Sequence, residues 1–255
     1  MTPVRAVLLA ALLAVPAAAA SGSEAKPPET ARGKEAKPLE EVLAAMERAE
    51  KDVLTLQFDY AQTAEIRLTG ETQTLRGKAY FRRPDRFRIE HVSPQSQVVV
   101  SDGKTLWFHN VARGQVLVDS WKNWADAAEF PKGLAPFQWD AASLRERYDV
   151  ALEDRPAGET GSAVIVRLTP KETTAWPYTF RLWVDPASGL PERTELESSS
   201  VKAVTRLSRT RVNPDLPDSL FTLRIPEGTE VLGAPASGEA RPQGTGRPAS
   251  EPSAR

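Results

Sequence analysis

Cysteine is absent from the 255 residues, and only two residues are histidine. Without thiols there is no disulfide, thiol nucleophile, iron–sulfur cluster, zinc finger or attachment point for a lipid on cysteine. Two imidazoles cannot build a multi-histidine metal centre, and a hydrolytic triad would have to use His91 or His109. Neither has a nucleophile or metal partner at motif spacing, so no metal, cofactor or catalytic residue is expected, and both are read as surface or half-buried strand residues. Charge of one sign is also lacking: 33 Lys plus Arg stand against 34 Asp plus Glu, a net −1. A phosphate-backbone binder needs a positive surplus, so nucleic acid is not an expected partner. The chain has no GxxxxGK(S/T) loop, no GxGxxG after a strand, no HExxH and no paired-carboxylate motif, which leaves no basis for an enzyme.

What is present begins with a leader. Arg5 supplies a positive start, Val7 to Val15 an apolar run, and Ala17 to Ala20 small residues suited to cleavage. Pro16 interrupts the run well short of the roughly 20 apolar residues that span a membrane. Residues 1–20 are therefore read as an export signal, and the mature chain, with no cysteine to lipidate, is expected to be soluble in the periplasm. Residues 21–37 and 233–255 are rich in Pro, Ala, Glu, Ser and Gly and nearly devoid of large apolar side chains, so both are expected to be disordered. One domain is expected over residues 38–232, and a monomer.

That domain opens on an amphipathic helix: Leu39, Val42, Leu43 and Met46 fall at i, i+3, i+4 and i+7, with Pro38 in the first turn. From Val53 the period becomes two, in Leu56, Phe58 and Tyr60, then Ile66 and Leu68. Further strands follow over 74–81, 86–92, 97–101, 105–110 and 115–119, with Asp102-Gly103 as a hairpin turn. Between Trp121 and Tyr148 the alternation stops: Trp121, Trp124, Phe130, Leu134, Phe137 and Trp139 are interrupted by Pro131, Gly133 and Pro136, and Ser143 to Glu146 has capping-box spacing for a short helix. Period two returns over 150–153, 163–169, 178–184, 193–197, 201–212 and 221–225. The pattern predicts a mainly β fold with some α: a single strongly curved antiparallel sheet of about eleven strands, its concave face covered by the helix from Pro38 and by the 121–148 insertion.

Several of these segments resemble one family. Arg83-Pro84-Asp85-Arg86-Phe87, the run Val99 to Asn110 and Gln115-Val116 are similar to the outer-membrane lipoprotein carrier proteins, the LolA-type periplasmic chaperones. Phe58 to Gln62, Leu168 to Lys171 and Phe221 to Val231 resemble the same family's first strand, later strand and closing motif. The resemblance implies an incomplete β-barrel with a helical lid over an apolar cavity. It also implies a function: binding the acyl chains of lipoproteins released from an inner-membrane ABC transporter and carrying them to an outer-membrane receptor. It makes Arg83 the lid switch, hydrogen bonded to lid backbone until cargo enters, and places Phe87 near the cavity mouth. Leu56, Phe58, Tyr60, Phe87, Ile89 and Trp107 are the expected acyl-chain lining, and Trp121, Trp124, Phe130, Leu134, Phe137 and Trp139 the expected lid.

Alternation alone does not distinguish a filled core from a hollow one, so each lining residue is also compatible with ordinary packing. The tryptophans of the insertion fit a fixed helix as well as a mobile one. Arg82, Arg83, Arg86 and Arg88 would equally suit a solvated sheet edge. Two other functions share the expected fold: a carrier of free lipid or glycolipid, and a regulatory domain that senses lipid. Regulators of that kind carry a second folded domain, which the composition after Leu232 does not suggest.

Overall fold

The computed structural model describes residues 36–125, 141–171 and 177–233. Helix α1 (Ala36–Asp52) leads into β1 (Thr55–Ile66), β2 (Glu71–Arg82), β3 (Arg86–Ser93), β4 (Gln97–Asp102), β5 (Thr105–Asn110) and β6 (Gln115–Ser120). Two short helices follow, α2 (Trp121–Ala125) and α3 (Ala141–Arg147), and then β7 (Tyr148–Glu153), β8 (Val164–Pro170), β9 (Tyr178–Val184), β10 (Pro191–Ser198), β11 (Val201–Val212) and β12 (Glu230–Gly233). Among the described residues all strands belong to one 12-stranded sheet in the order β12-β6-β5-β4-β3-β2-β1-β11-β10-β9-β8-β7. Its two end strands, β12 and β7, do not pair with each other, so the curled sheet stays open.

Period-two residues send one apolar set to the face that packs against α1, here called the inner face. Val42, Leu43 and Met46 of α1 meet Val166, Leu168, Phe180, Leu182, Val184, Ala203 and their neighbours in the larger core cluster. Leu43 and Met46 are each 1% exposed, so each contributes about 1.5–3 kcal/mol through burial. The turn between β9 and β10 fits tightly under α1. Gly189 adopts φ +70, in the left-handed region that favours glycine, and a Cβ there would sit 2.2 Å from the Ala45 carbonyl oxygen. Asp185 closes that turn, accepting from Ala187 N and Ser188 Oγ, and these bonds hold its carboxyl below the ordinary range.

Several expectations need correction. Residues 221–225 do not form a strand: Asp218–Phe221 is a 3-10 turn. The closing strand is β12, and it joins β6 in parallel, so the sheet is not wholly antiparallel. The expected cap at Ser143 lies inside α3, which starts at Ala141, and α1 starts at Ala36, two residues before Pro38. Ala36 and Lys37, in helix, and Gly233, in β12, fall inside the stretches expected to be disordered; the leader and residues 21–35 and 234–255 lie outside the described residues.

The 3-10 turn explains the arginines. β2 and β3 are interior strands, so Arg82, Arg86 and Arg88 are not a sheet edge. They lie on the outer face, where Arg82 and Arg86 pair with Asp218, the Arg82 guanidinium sits 5.1 Å from the Phe221 ring centre, and Arg88 reaches the Leu220 carbonyl. Phe221 is 1% exposed beneath this clamp. The turn lies against the outer face of β3 and β4, and outward-facing Val100 and Val116 are both fully buried.

Asn213 ties α1 to this framework. At φ +51 its side-chain oxygen accepts from Leu54 N (2.7 Å) and Thr55 N (3.2 Å), and its amide donates to the Asp52 carbonyl (3.0 Å). Asparagine is among the few non-glycine residues that tolerate this left-handed conformation. Asn213→Ala should therefore cost about 2 kcal/mol, because backbone groups at the helix–strand junction lose their partner and alanine disfavours the positive φ. Chemical denaturation checks this: an unchanged midpoint would mean water replaces the side chain without loss.

Candidate functional site

The second apolar cluster occupies the inner face of β1–β5. Strand register aligns Leu56, Phe81 and Phe87 in one row, and Phe58, Ala79, Ile89, Val99 and Phe108 in the next. Phe58 stacks on Phe81 (5.7 Å between ring centres), Phe81 leans on Phe87 (6.3 Å), and Phe87 meets Trp121 of α2 edge to face at 5.1 Å. The result is a continuous aromatic path from the sheet centre to the start of the insertion. Leu56, Phe58 and Ile89 are buried, whereas Tyr60, Phe87, Phe108, Trp121, Leu190 and Leu207 are only half-buried around them.

Most of the expected lining residues are thus brought together, but Trp107 is not. It pairs with Val100 and Val118, so it points to the outer face, opposite Leu106 and Phe108, which join the inner cluster instead. The run Leu106-Trp107-Phe108 is apolar on both faces, and period two could not choose between them. Of the expected lid, Trp121 meets Phe87; Trp124 belongs to α2, but its side chain is outside the description, as are Phe130, Leu134, Phe137 and Trp139.

Arg83 stands where β2 ends. Its Nε donates to the Val53 carbonyl at 2.9 Å, one terminal nitrogen donates to the Glu50 carbonyl, and the Glu50 carboxylate lies 3.7 Å away. Glu50 lies in the last turn of α1 and Val53 directly follows its last residue, where the terminal carbonyls lack intrahelical donors and the helix dipole favours a cation. Backbone carbonyls carry no side-chain signal, so no sequence pattern could have identified them as the partners of Arg83.

A polar pair borders the apolar rows. Tyr60, Gly77 and His91 occupy one inner-face row, and the Tyr60 ring crosses Gly77 to place its hydroxyl 2.6 Å from His91 Nδ1. His91 and His109 are both buried, not surface or half-buried as the sequence suggested. Burial holds both imidazoles below their ordinary range, and burial together with the Glu90 carboxylate pushes the Tyr60 hydroxyl up. An isolated glycine within a strand is the one local signal for such a crossing. Among the described residues no group of three or more His, Cys, Asp or Glu is placed to hold a metal ion.

Comparison with known proteins agrees with this architecture. The outer-membrane lipoprotein carrier protein of Glaesserella parasuis is 26% identical over 191 residues, covering 75% of this chain and 85% of its own. That of Haemophilus ducreyi is 28% identical over 192 residues, covering 74% and 83%. An uncharacterized conserved protein from Thermus thermophilus, known from its crystal structure, has the same fold at a TM-score of 0.50 and 14% identity, across 76% of this chain and 98% of that one. The family model described as outer membrane lipoprotein carrier protein LolA matches residues 51–224, and the chain belongs to that family.

Proposed function

We propose that the protein is a periplasmic lipoprotein carrier. It takes the acyl chains of lipoproteins released by an inner-membrane ABC transporter onto the inner face of the sheet and delivers them to an outer-membrane receptor. The observation that carries this reading is the aromatic path Phe58–Phe81–Phe87–Trp121, half-buried at its outer end and adjoining a helix whose terminus is held by Arg83. A chain of 16 carbons costs on the order of 12 kcal/mol to expose to water, at about 0.8 kcal/mol per methylene. An aliphatic and aromatic surface offsets most of that without chemistry, and no energy-binding motif is needed for a downhill hand-off.

Delivery requires that affinity be limited. In this reading α1 and the insertion, with Trp121, Trp124, Phe130, Leu134, Phe137 and Trp139, cover the inner face when no cargo is bound and compete with the acyl chains for it. Leu56, Phe58, Tyr60, Phe87 and Ile89 serve as lining, joined by Leu106 and Phe108.

Native mass spectrometry of the mature chain purified from periplasm tests the proposal. Adducts with lipoprotein masses are expected; free lipid alone, or a protein partner without lipid, would overturn it. Trp121→Ala should strengthen binding of a fluorescent triacylated lipopeptide up to about tenfold, because the edge contact on Phe87 belongs to the cargo-free arrangement and its loss weakens the competitor of the acyl chains. Unaltered binding would place the acyl chains elsewhere.

A further inference from the structure

The inner face is apolar across the rows of Leu56 and Phe58 and turns polar one row further, at Tyr60, Gly77 and His91. This row is built with some precision. A Cβ on Gly77 would lie 2.4 Å from the Tyr60 hydroxyl and 2.1 Å from the Glu90 carbonyl, so only glycine lets the Tyr60 ring cross β2 and reach His91. The two rings meet edge to face, 5.8 Å apart at 89°. The Tyr60 hydroxyl has no other acceptor among the described residues. The arrangement that uses its proton has Tyr60 donating to His91 Nδ1, which leaves the proton of the neutral imidazole on Nε2. His91 is 4% exposed, and its Nε2 is buried on this face with no hydrogen-bond partner among the described residues. A buried N–H with nothing to donate to is uncommon and calls for an explanation.

We propose that the Tyr60–His91 pair is a subsite for the carbonyl at the head of a bound acyl chain, an ester or amide, with His91 Nε2–H donating to the carbonyl oxygen. The inference rests on the carrier reading and deepens it: the apolar rows hold the hydrocarbon, and the polar row at their border registers where the chain ends. Tyr60 is the positioning residue, since its hydroxyl selects the tautomer that makes Nε2 a donor. Gln62, two residues along β1 on the same face, donates to Thr205 and continues the polar border.

The test separates the carbonyl from the chain. The full mature protein is loaded with phenylnaphthylamine, a dye without a carbonyl, which is displaced by palmitoyl lysophosphatidylcholine or by its hexadecyl ether analogue. The two differ only in the carbonyl. The wild type is expected to bind the ester roughly three- to tenfold more tightly, the range of one hydrogen bond to a neutral group. His91→Phe should lower ester binding to the level of the ether while leaving the ether unchanged, Tyr60→Phe should shrink the ratio, and His91→Gln, which keeps a donor, should retain part of it. Equal displacement by both lipids in the wild type, or an ester preference that survives His91→Phe, would overturn the subsite and leave the carrier reading standing. Failure of both lipids to displace the dye would overturn both. Should His91→Phe not fold, the wild-type ratio and His91→Gln decide the matter.

Discussion

Arg83→Leu should retain cargo about 30-fold longer than the wild type in transfer to acceptor membranes bearing the receptor, while still accepting it from donor membranes. The guanidinium donates to the carbonyls of Glu50 and Val53 at the end of α1, and leucine offers neither a donor nor a charge. Hydrogen bonds from a charged group contribute about 1.5–3 kcal/mol each, and the side chain is 29% exposed, so water recovers part of the loss. A net shift of about 2 kcal/mol against the cargo-free arrangement corresponds to about 30-fold, at 1.4 kcal/mol for each factor of ten. On the proposed carrier reading the direction follows from linkage: the bonds stabilise only the state in which α1 is clasped, so removing them weakens the competitor of the acyl chain and raises apparent affinity. A pulse of fluorescent lipopeptide followed by receptor-bearing vesicles measures the rate. Transfer at the wild-type rate would take Arg83 out of the mechanism, whatever the melting temperature does.

Gly77→Val is expected to be the most damaging single substitution in the inner face. Its added atoms meet the backbone oxygen of Glu90 and the Tyr60 ring at once, and the backbone contact cannot be relieved by a rotamer change. The register between β2 and β3 already shifts at Arg76 and Gly77, so the strand has little freedom to move outward. Overpacking typically costs about 1–3 kcal/mol, and loss of the Tyr60–His91 bond brings the total to about 4 kcal/mol. For a domain of this size that lowers the melting temperature by about 8–16 °C. Gly70→Ala is the control: Gly70 has φ +69 but open space around it, so only the backbone term applies, about 1 kcal/mol. Equal losses at the two sites, read by calorimetry, would mean that glycine's conformational freedom rather than the close approach explains Gly77.

These two substitutions mark the limit of what local pattern can say. Arg83 was visible because the Arg83-Pro84 segment resembles a family motif; its partners Glu50 and Val53 were not, since they act through backbone oxygens that every residue carries. Alternation alone marks Tyr60 as one more lining residue. That it crosses a glycine to reach a histidine 31 positions away follows only from the pairing of three strands. Trp107 went to the wrong face because strand β5 is apolar on both sides, and a period-two rule needs one polar face to break the tie. The segment from residue 221 has strand-like composition, but its phenylalanine is buried under arginines of the outer face before the chain turns back to lie parallel beside β6.

From the sequence alone came the composition-level exclusions, the amphipathic helix, nearly every strand and the order in which they occur, because side-chain periodicity is set by backbone geometry over a few residues. The tertiary structure decided which face of β5 looks inward, which strand closes the sheet, what Arg83 holds and what His91 faces. Each of those depends on contacts between residues far apart in the chain, and such contacts leave no periodic trace in the order of the amino acids.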